Sequence, residues 1–171
     1  MRRVFRIFGM WLVLVVITAA SASAQQTVFV VRHAERADGG AGAGGSMAST
    51  DPELSEAGRA RAQSLAKALK EAGIKAIYVT EFKRTQQTAA PLAAALNIEP
   101  TEVPAKNVAA LIERLKAGSG NALVVAHSNT IPDVIKQLGV VEPVNVADAD
   151  YDWLFLVTQG SAASLVRLHF R

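Results

Sequence analysis

The sequence predicts an α/β fold: a three-layer αβα sandwich with a mostly parallel central sheet and an antiparallel C-terminal edge hairpin. Three observations predict it. Short β-branched runs alternate with longer stretches of helical period, the pattern of a parallel sheet with crossover helices on both faces. The first run, Gln26 to Val31 (Q-T-V-F-V-V), is apolar at consecutive positions, as a strand covered on both faces must be. The alternation breaks only at the end, where two strand-like runs flank Gln159-Gly160, a hairpin signal.

Residues 1–24 stand apart from this pattern. Arg2, Arg3 and Arg6 precede an apolar run from Ile7 to Ala20, and Ala22-Ser23-Ala24 follows. A basic start, a short apolar stretch and a small-x-small site read as a cleavable export signal. The run falls short of the roughly 20 residues of a membrane span; an uncleaved anchor is the alternative. The expected product is exported, periplasmic or secreted, and meets the membrane only during export. The chain holds no cysteine, which rules out a lipoprotein anchor, thiol catalysis and cysteine metal sites. Eighteen basic and fifteen acidic residues give a net charge of +3, and three of the basic ones are leader arginines. The remaining domain, residues 25–171, is therefore formally neutral, and its charge gives no reason to expect nucleic-acid binding. It is one domain of ordinary size that needs no staples, and it carries no internal repeat.

The elements follow in order. After the first strand, Asp38 to Pro52 contains five glycines and reads as a flexible loop, either a connector or a lid over a site. Ser55 is a candidate N-cap for a helix with Gly58 as a weak point. Leu65, Ala68, Leu69 and Ala72 form its apolar stripe, and Gly73 ends it. Ala76 to Val79 is a short strand. Lys83 to Leu96 is an Ala-rich helix closed by Asn97. Ile98 to Val103 is a weak strand that Pro100 and Pro104 confine to an edge. Val108 to Leu115 is a helix stopped by Gly118-Ser119-Gly120. Ala122 to Ala126 is an apolar strand. Ile131 to Leu138 is a helix with Pro132 in its first turn. Glu142 to Asp150 is irregular, and Trp153 to Val157 and Ser164 to Phe170 form the hairpin.

Ligands of such sheets bind outside the carboxyl ends of the strands. Three clusters fall there: Arg32-His33, Thr80 to Arg84, and His127-Ser128-Asn129. The chain order thus brings two arginines and two histidines to one edge. Guanidiniums suit a phosphoryl group, whose transfer depends on positioning and charge stabilisation. A histidine beside an arginine stays neutral and can carry the phosphoryl covalently. A second, protonated histidine would add positive charge, and helix N-termini after Thr80 and Asn129 would add donors. Spacing alone does not say which histidine is the nucleophile.

These residues resemble a known family. V-V-R-H-A-E at 30–35 is similar to the R-H signature of the histidine phosphatase superfamily, the phosphoglycerate-mutase-like fold. T-E-F-K-R-T-Q-Q-T-A at 80–89 resembles its second motif, and V-V-A-H-S-N-T at 124–130 its third. L-S-E-A-G-R-A-R-A at 54–62 resembles the approach to its first helix. The likeness is to the short single-domain branch that includes phosphohistidine phosphatases. It implies that His33 is phosphorylated, that Arg32, Arg84 and His127 bind the phosphate, and that no metal or other cofactor is required. The implied substrate is a small phosphorylated molecule or a phosphoprotein, a phosphomonoester or a phosphoramidate.

The sequence departs from the family in one respect. Many members carry a carboxylate that protonates the leaving group, after the third strand or next to the second histidine. Here Ser128 follows His127, and Val103 to Ala110 holds no acid. Glu35 and Glu102 are the nearest substitutes. A missing donor would favour good leaving groups, such as phosphohistidine or an acyl phosphate. Two other functions fit the same residues. One is a phosphate-binding or interaction domain with little turnover. The other is a metal hydrolase using His33, Glu35 and His127, disfavoured because the flanking arginines repel a cation. Of the rest, His169 is read as structural or exposed, Trp153 and Phe155 as strand packing, and Asp148, Asp150 and Asp152 as a solvated acidic loop. The oligomeric state is not readable.

Overall fold

The computed structural model describes residues 26–38, 51–160 and 162–170. Ten elements follow in the order β1 (Thr27–Arg32), α1 (Glu56–Leu69), β2 (Ile74–Val79), α2 (Lys83–Leu96), β3 (Thr101–Glu102), α3 (Val108–Ala117), β4 (Asn121–Ala126), α4 (Ile131–Gln137), β5 (Trp153–Thr158) and β6 (Ser164–His169). One six-stranded sheet has the order β3-β2-β4-β1-β5-β6. β1, β2, β3 and β4 are mutually parallel. β5 is antiparallel to both β1 and β6, so the edge hairpin stands as expected and β5 alone runs against the rest.

Strand periodicity divides the core in two. Val28 and Val30 of β1 face one way, with Leu111 and Leu115 of α3 and Ile131, Val134 and Ile135 of α4. Phe29 and Val31 face the other, with Leu65 and Leu69 of α1 and Leu92 and Ala93 of α2. Successive side chains of a strand point to opposite faces, so a central strand needs apolar residues at both, and β1 has them. The sandwich thus has α1 and α2 on one face and α3 and α4 on the other. Its consequence for function is positional. β2, β4 and β1 are adjacent and parallel, so their C-terminal ends open onto one edge of the sheet.

Several local expectations change. α1 stops at Leu69, and a turn through Gly73, whose φ is +65°, replaces the expected last turn. Its buried face is Gly58, Ala62, Leu65, Ala66 and Leu69, so Ala66 packs and Ala68 is exposed. Gly58 is no weak point: a Cβ there would overlap the backbone carbonyl oxygen of Glu35. Glycine lets the first turn of α1 press against the segment that follows β1. Ser55 caps the helix, its Oγ accepting from the Gly58 N–H at 3.0 Å. β3 is only two residues long, between the flanking prolines. Asn97 closes α2 in the left-handed region, at φ 53°, which asparagine tolerates.

The expected export signal, residues 1–24, lies outside the described residues. So do residues 39–50 of the Gly-rich segment and with them the choice between connector and lid. Among the described residues no helix is long and apolar enough to cross a membrane.

Candidate active site

The three strand-end clusters meet as the chain order requires. Arg32 is the last residue of β1, and the His33 N–H continues the ladder by donating to the Ala126 carbonyl at 2.9 Å. His127 follows β4, and its ring lies edge-on to that of His33 with centroids 5.3 Å apart. Arg32, His33 and His127 are all buried.

The two histidines are held differently. His33 Nδ1 lies 2.8 Å from the carbonyl oxygen of Ala34. A carbonyl can only accept, so Nδ1 carries the proton and Nε2 keeps its lone pair. His127 Nε2 is hydrogen-bonded to Thr80 Oγ1 at 3.0 Å. Burial, opposed by the bond to Ala34 and reinforced by His127, Arg32 and Arg84, lowers His33 to about 3. Burial and the Arg84 and Arg32 charges, opposed by Glu81, lower His127 to about 4. Both rings are therefore neutral before substrate arrives. This differs from the expectation of a protonated second histidine: the site is too dry and too cationic to charge His127 without an anion.

The arginines bracket the pair. Arg32 Nη1 donates to the carbonyls of Ala147 (3.0 Å) and Asp150 (3.5 Å), and its guanidinium stacks 4.1 Å from the centre of the Tyr151 ring. Arg84, the second residue of α2, stacks at the same distance over Phe82. Arg84 is lowered, chiefly by burial and then by Arg36, yet an arginine stays cationic at any working pH. Each arginine also touches a carboxylate at ion-pair range, Asp148 at 3.7 Å from Arg32 and Asp51 at 3.6 Å from Arg84. The Nε atoms of both arginines are buried and have no hydrogen-bond partner among the described residues. Buried donors normally find acceptors, so two orphaned cationic N–H groups mark a place for an anion.

The second motif has a structural part as well. Thr88 Oγ1 accepts from the Ala34 N–H at 2.9 Å and donates to the Arg84 carbonyl at 2.6 Å. Gln87 Oε1 accepts from the Leu54 N–H at 2.8 Å. α2 thus pins the backbone just after His33 and the approach to α1. Its own first donor, the Lys83 N–H, is taken by the Asp51 carboxylate. α2 therefore offers the site its Arg84 side chain and not the Lys83 amide that a helix N-terminus would have added.

The acids fall elsewhere. Glu35 is clamped by Arg61, with contacts of 2.6 to 2.9 Å. The Arg61 bond and charge outweigh burial, and its carboxyl is lowered. Glu102 is exposed at the end of β3, accepting from Gln86 at 3.3 Å. His33, Glu35 and His127 do not converge as ligands: among the described residues no three His, Asp or Glu side chains are grouped to hold a metal. The acidic loop is not merely solvated, since its backbone roofs Arg32 and Ser128 Oγ donates to Asp148 at 3.2 Å. His169 is half-exposed beside Asp152 and packs on Trp153. Sequence reasoning missed Tyr151, Phe82, Thr88 and Glu81. Glu81 lies in the wall of an open cleft with Arg84, His127, Asn129 and Asp133. The signal for it was present, because it sits inside the Thr80 to Arg84 cluster.

Residues 28–107 match the family model of the histidine phosphatase superfamily, branch 1, and the recognition drawn from the motifs holds at that level. The fold is shared with several solved proteins. The protein histidine phosphatase SixA, determined with tungstate, superposes with a TM-score of 0.62 at 19% identity, covering 84% of this chain and 96% of that one. The alpha-ribazole phosphatase from Shigella flexneri gives 0.67 at 16%, over 84% and 96%. A protein described as mycobacterial hydrolase 1 gives 0.65 at 14%, over 84% and 97%. No curated protein matches the chain by sequence.

Proposed function

We propose that the chain is a metal-independent phosphatase that transfers a phosphoryl group to His33 Nε2 and then to water. The observation that carries this reading is the pair of buried, unpartnered arginine Nε–H groups beside two neutral histidines. A neutral protein core does not leave two guanidinium donors dry and unpaired; a bound phosphoryl group satisfies both. Arg32 and Arg84 offset charge on its equatorial oxygens. His33 Nε2 attacks phosphorus, with the Nδ1 proton held by Ala34. His127 gains a proton or donates a hydrogen bond once the anion's charge enters the site. The substrate is a phosphomonoester or a phosphoramidate, on a small molecule or a phosphoprotein.

The SixA likeness is compatible with a phosphoramidate substrate but extends to phosphatases of other substrates. Export belongs to the same proposal: the basic, apolar and small-residue order of residues 1–24 supports a periplasmic or secreted enzyme.

Intact-mass and peptide mass spectrometry after brief exposure to phosphoramidate tests the reading. One phosphoryl group on His33 is expected. Turnover of an aryl phosphate should survive a strong chelator, and His33→Ala should abolish both labelling and turnover. Activity lost to the chelator and restored by a divalent ion would favour the metal hydrolase. Phosphate binding with neither labelling nor turnover would favour the binding domain.

A further inference from the structure

We propose that Glu81 is the proton donor to the leaving group, a catalytic carboxylate supplied from the second motif. The assignment rests on the phosphatase reading above and deepens it.

Cleaving a P–O bond to an alcohol of high pKa puts charge on the departing oxygen, and a positioned acid lowers that barrier. The acid must border the phosphate cradle without being tied up in an ion pair there. Most carboxylates near the site fail the second condition. Glu35 is clamped by Arg61, Asp51 is paired with Arg84 and Asp148 with Arg32. Asp133 borders the same cleft but is bonded to Gln137 along its own helix.

Glu81 meets both conditions. It shares the cleft wall with Arg84 and His127. It follows Thr80, whose hydroxyl is bonded to His127 Nε2 at 3.0 Å, so its backbone is fixed one residue from the cradle. Its charge is also felt at His127 and Arg84. Oε2 accepts one bond, from the Ala105 N–H at 2.8 Å. Oε1 has no partner among the described residues, and no Lys or Arg there forms an ion pair with the group. The bond to Ala105 orients it.

The steps balance. His33 Nε2 forms the N–P bond while the P–O bond breaks. The bonding pair leaves on the ester oxygen, which takes the proton of the Glu81 carboxyl and departs as the alcohol. The Glu81 carboxylate then accepts a proton from water as its oxygen attacks phosphorus. The N–P bond breaks, its pair returns to Nε2, and inorganic phosphate leaves with Glu81 protonated again.

The experiment measures kcat/KM for phosphate monoesters from alkyl to nitrophenyl leaving groups, with wild type, Glu81→Gln and Asp148→Asn. The amide oxygen introduced by Glu81→Gln can still accept the Ala105 bond, so folding and phosphate binding should persist. Loss of the acid should slow alkyl phosphates by about 10²–10⁴-fold and nitrophenyl phosphate by only a few-fold, giving a steeper dependence on leaving-group pKa. A uniform loss across the series, or none, overturns the assignment, as does a leaving-group-selective loss in Asp148→Asn alone. If wild type labels His33 and turns over nitrophenyl phosphate but no alkyl phosphate, the phosphatase reading stands and the role of Glu81 falls. If wild type neither labels nor turns over any ester, both fall.

Discussion

His33 and His127 are neutral because of where they are, and that has a consequence in pH. An unfolded histidine titrates near 6.5, whereas these two titrate at about 3 and about 4. Between those values the unfolded chain binds more protons than the folded one. Their contribution to stability is thus full above pH 6.5 and is lost as pH falls toward 4. The urea midpoint should be lower at pH 5 than at pH 7. If His33 is the nucleophile, it remains a free base over the same window, so kcat/KM for an aryl phosphate, corrected for substrate ionisation, should stay level through pH 6.5 and drop only near pH 3. An acid limb at 6.5 would mean that His33 is not the buried, neutral base described here. The residues proposed to act on phosphate were legible because charge at a strand end has few structural reasons to exist. The residues that hold them were not. Thr88 reads as an ordinary helix position until Ala34 is found against it, and Tyr151 reads as loop until Arg32 lies under its ring.

At the scale of elements, the contact between α1, α2 and the segment after β1 sets the position of His33. Thr88 supplies the only acceptor found for the buried Ala34 N–H among the described residues. Thr88→Val keeps the shape and orphans that donor, which costs about 1–3 kcal/mol, and it should lower activity through misplacement of His33. Chemical denaturation and turnover measured together check this, and unchanged stability would show that the bond is dispensable. Gly58 acts from the other side. Alanine is the better helix former by about 1 kcal/mol, but its methyl would meet the Glu35 carbonyl. Overpacking typically costs about 1–3 kcal/mol, so Gly58→Ala should lower the denaturation midpoint, and a rise would mean the backbone gives way freely. These contacts explain what the sequence concealed. Apolar period located the helices, but Ala66 and Ala68 are equivalent in composition, and only the angle at which α1 meets the sheet decides which is buried. A glycine in a helix looks like a defect until its neighbour across the gap is known. Likewise, the expected end of α1 came from an apolar Ala72 that belongs to the turn.

At the scale of the whole molecule, the fold separates the site from the point where the chain enters. β1 is a central strand, between β4 and β5, and the chain joins it at Thr27, the end of the strand opposite His33. Gln26 is tied there by the Gln159 N–H donating to its carbonyl at 2.9 Å. Cleavage after Ala24 therefore leaves two residues before the sheet and removes nothing that the described fold or site uses. Arg2, Arg3 and Arg6 account for the whole net charge of +3, and residues 25–171 are formally neutral. If residues 1–24 are an export signal, the processed protein should begin at Gln25 and be recovered outside the cytoplasm. A version made without residues 1–24 should match the full-length chain in melting temperature and in turnover of an aryl phosphate. N-terminal sequencing of exported material decides the first point. Thermal unfolding and kinetics of the two preparations decide the second. Material that keeps Met1 and stays with the membrane would make the segment an anchor. A shortened protein that melts well below the full-length chain would mean that the domain begins earlier than β1.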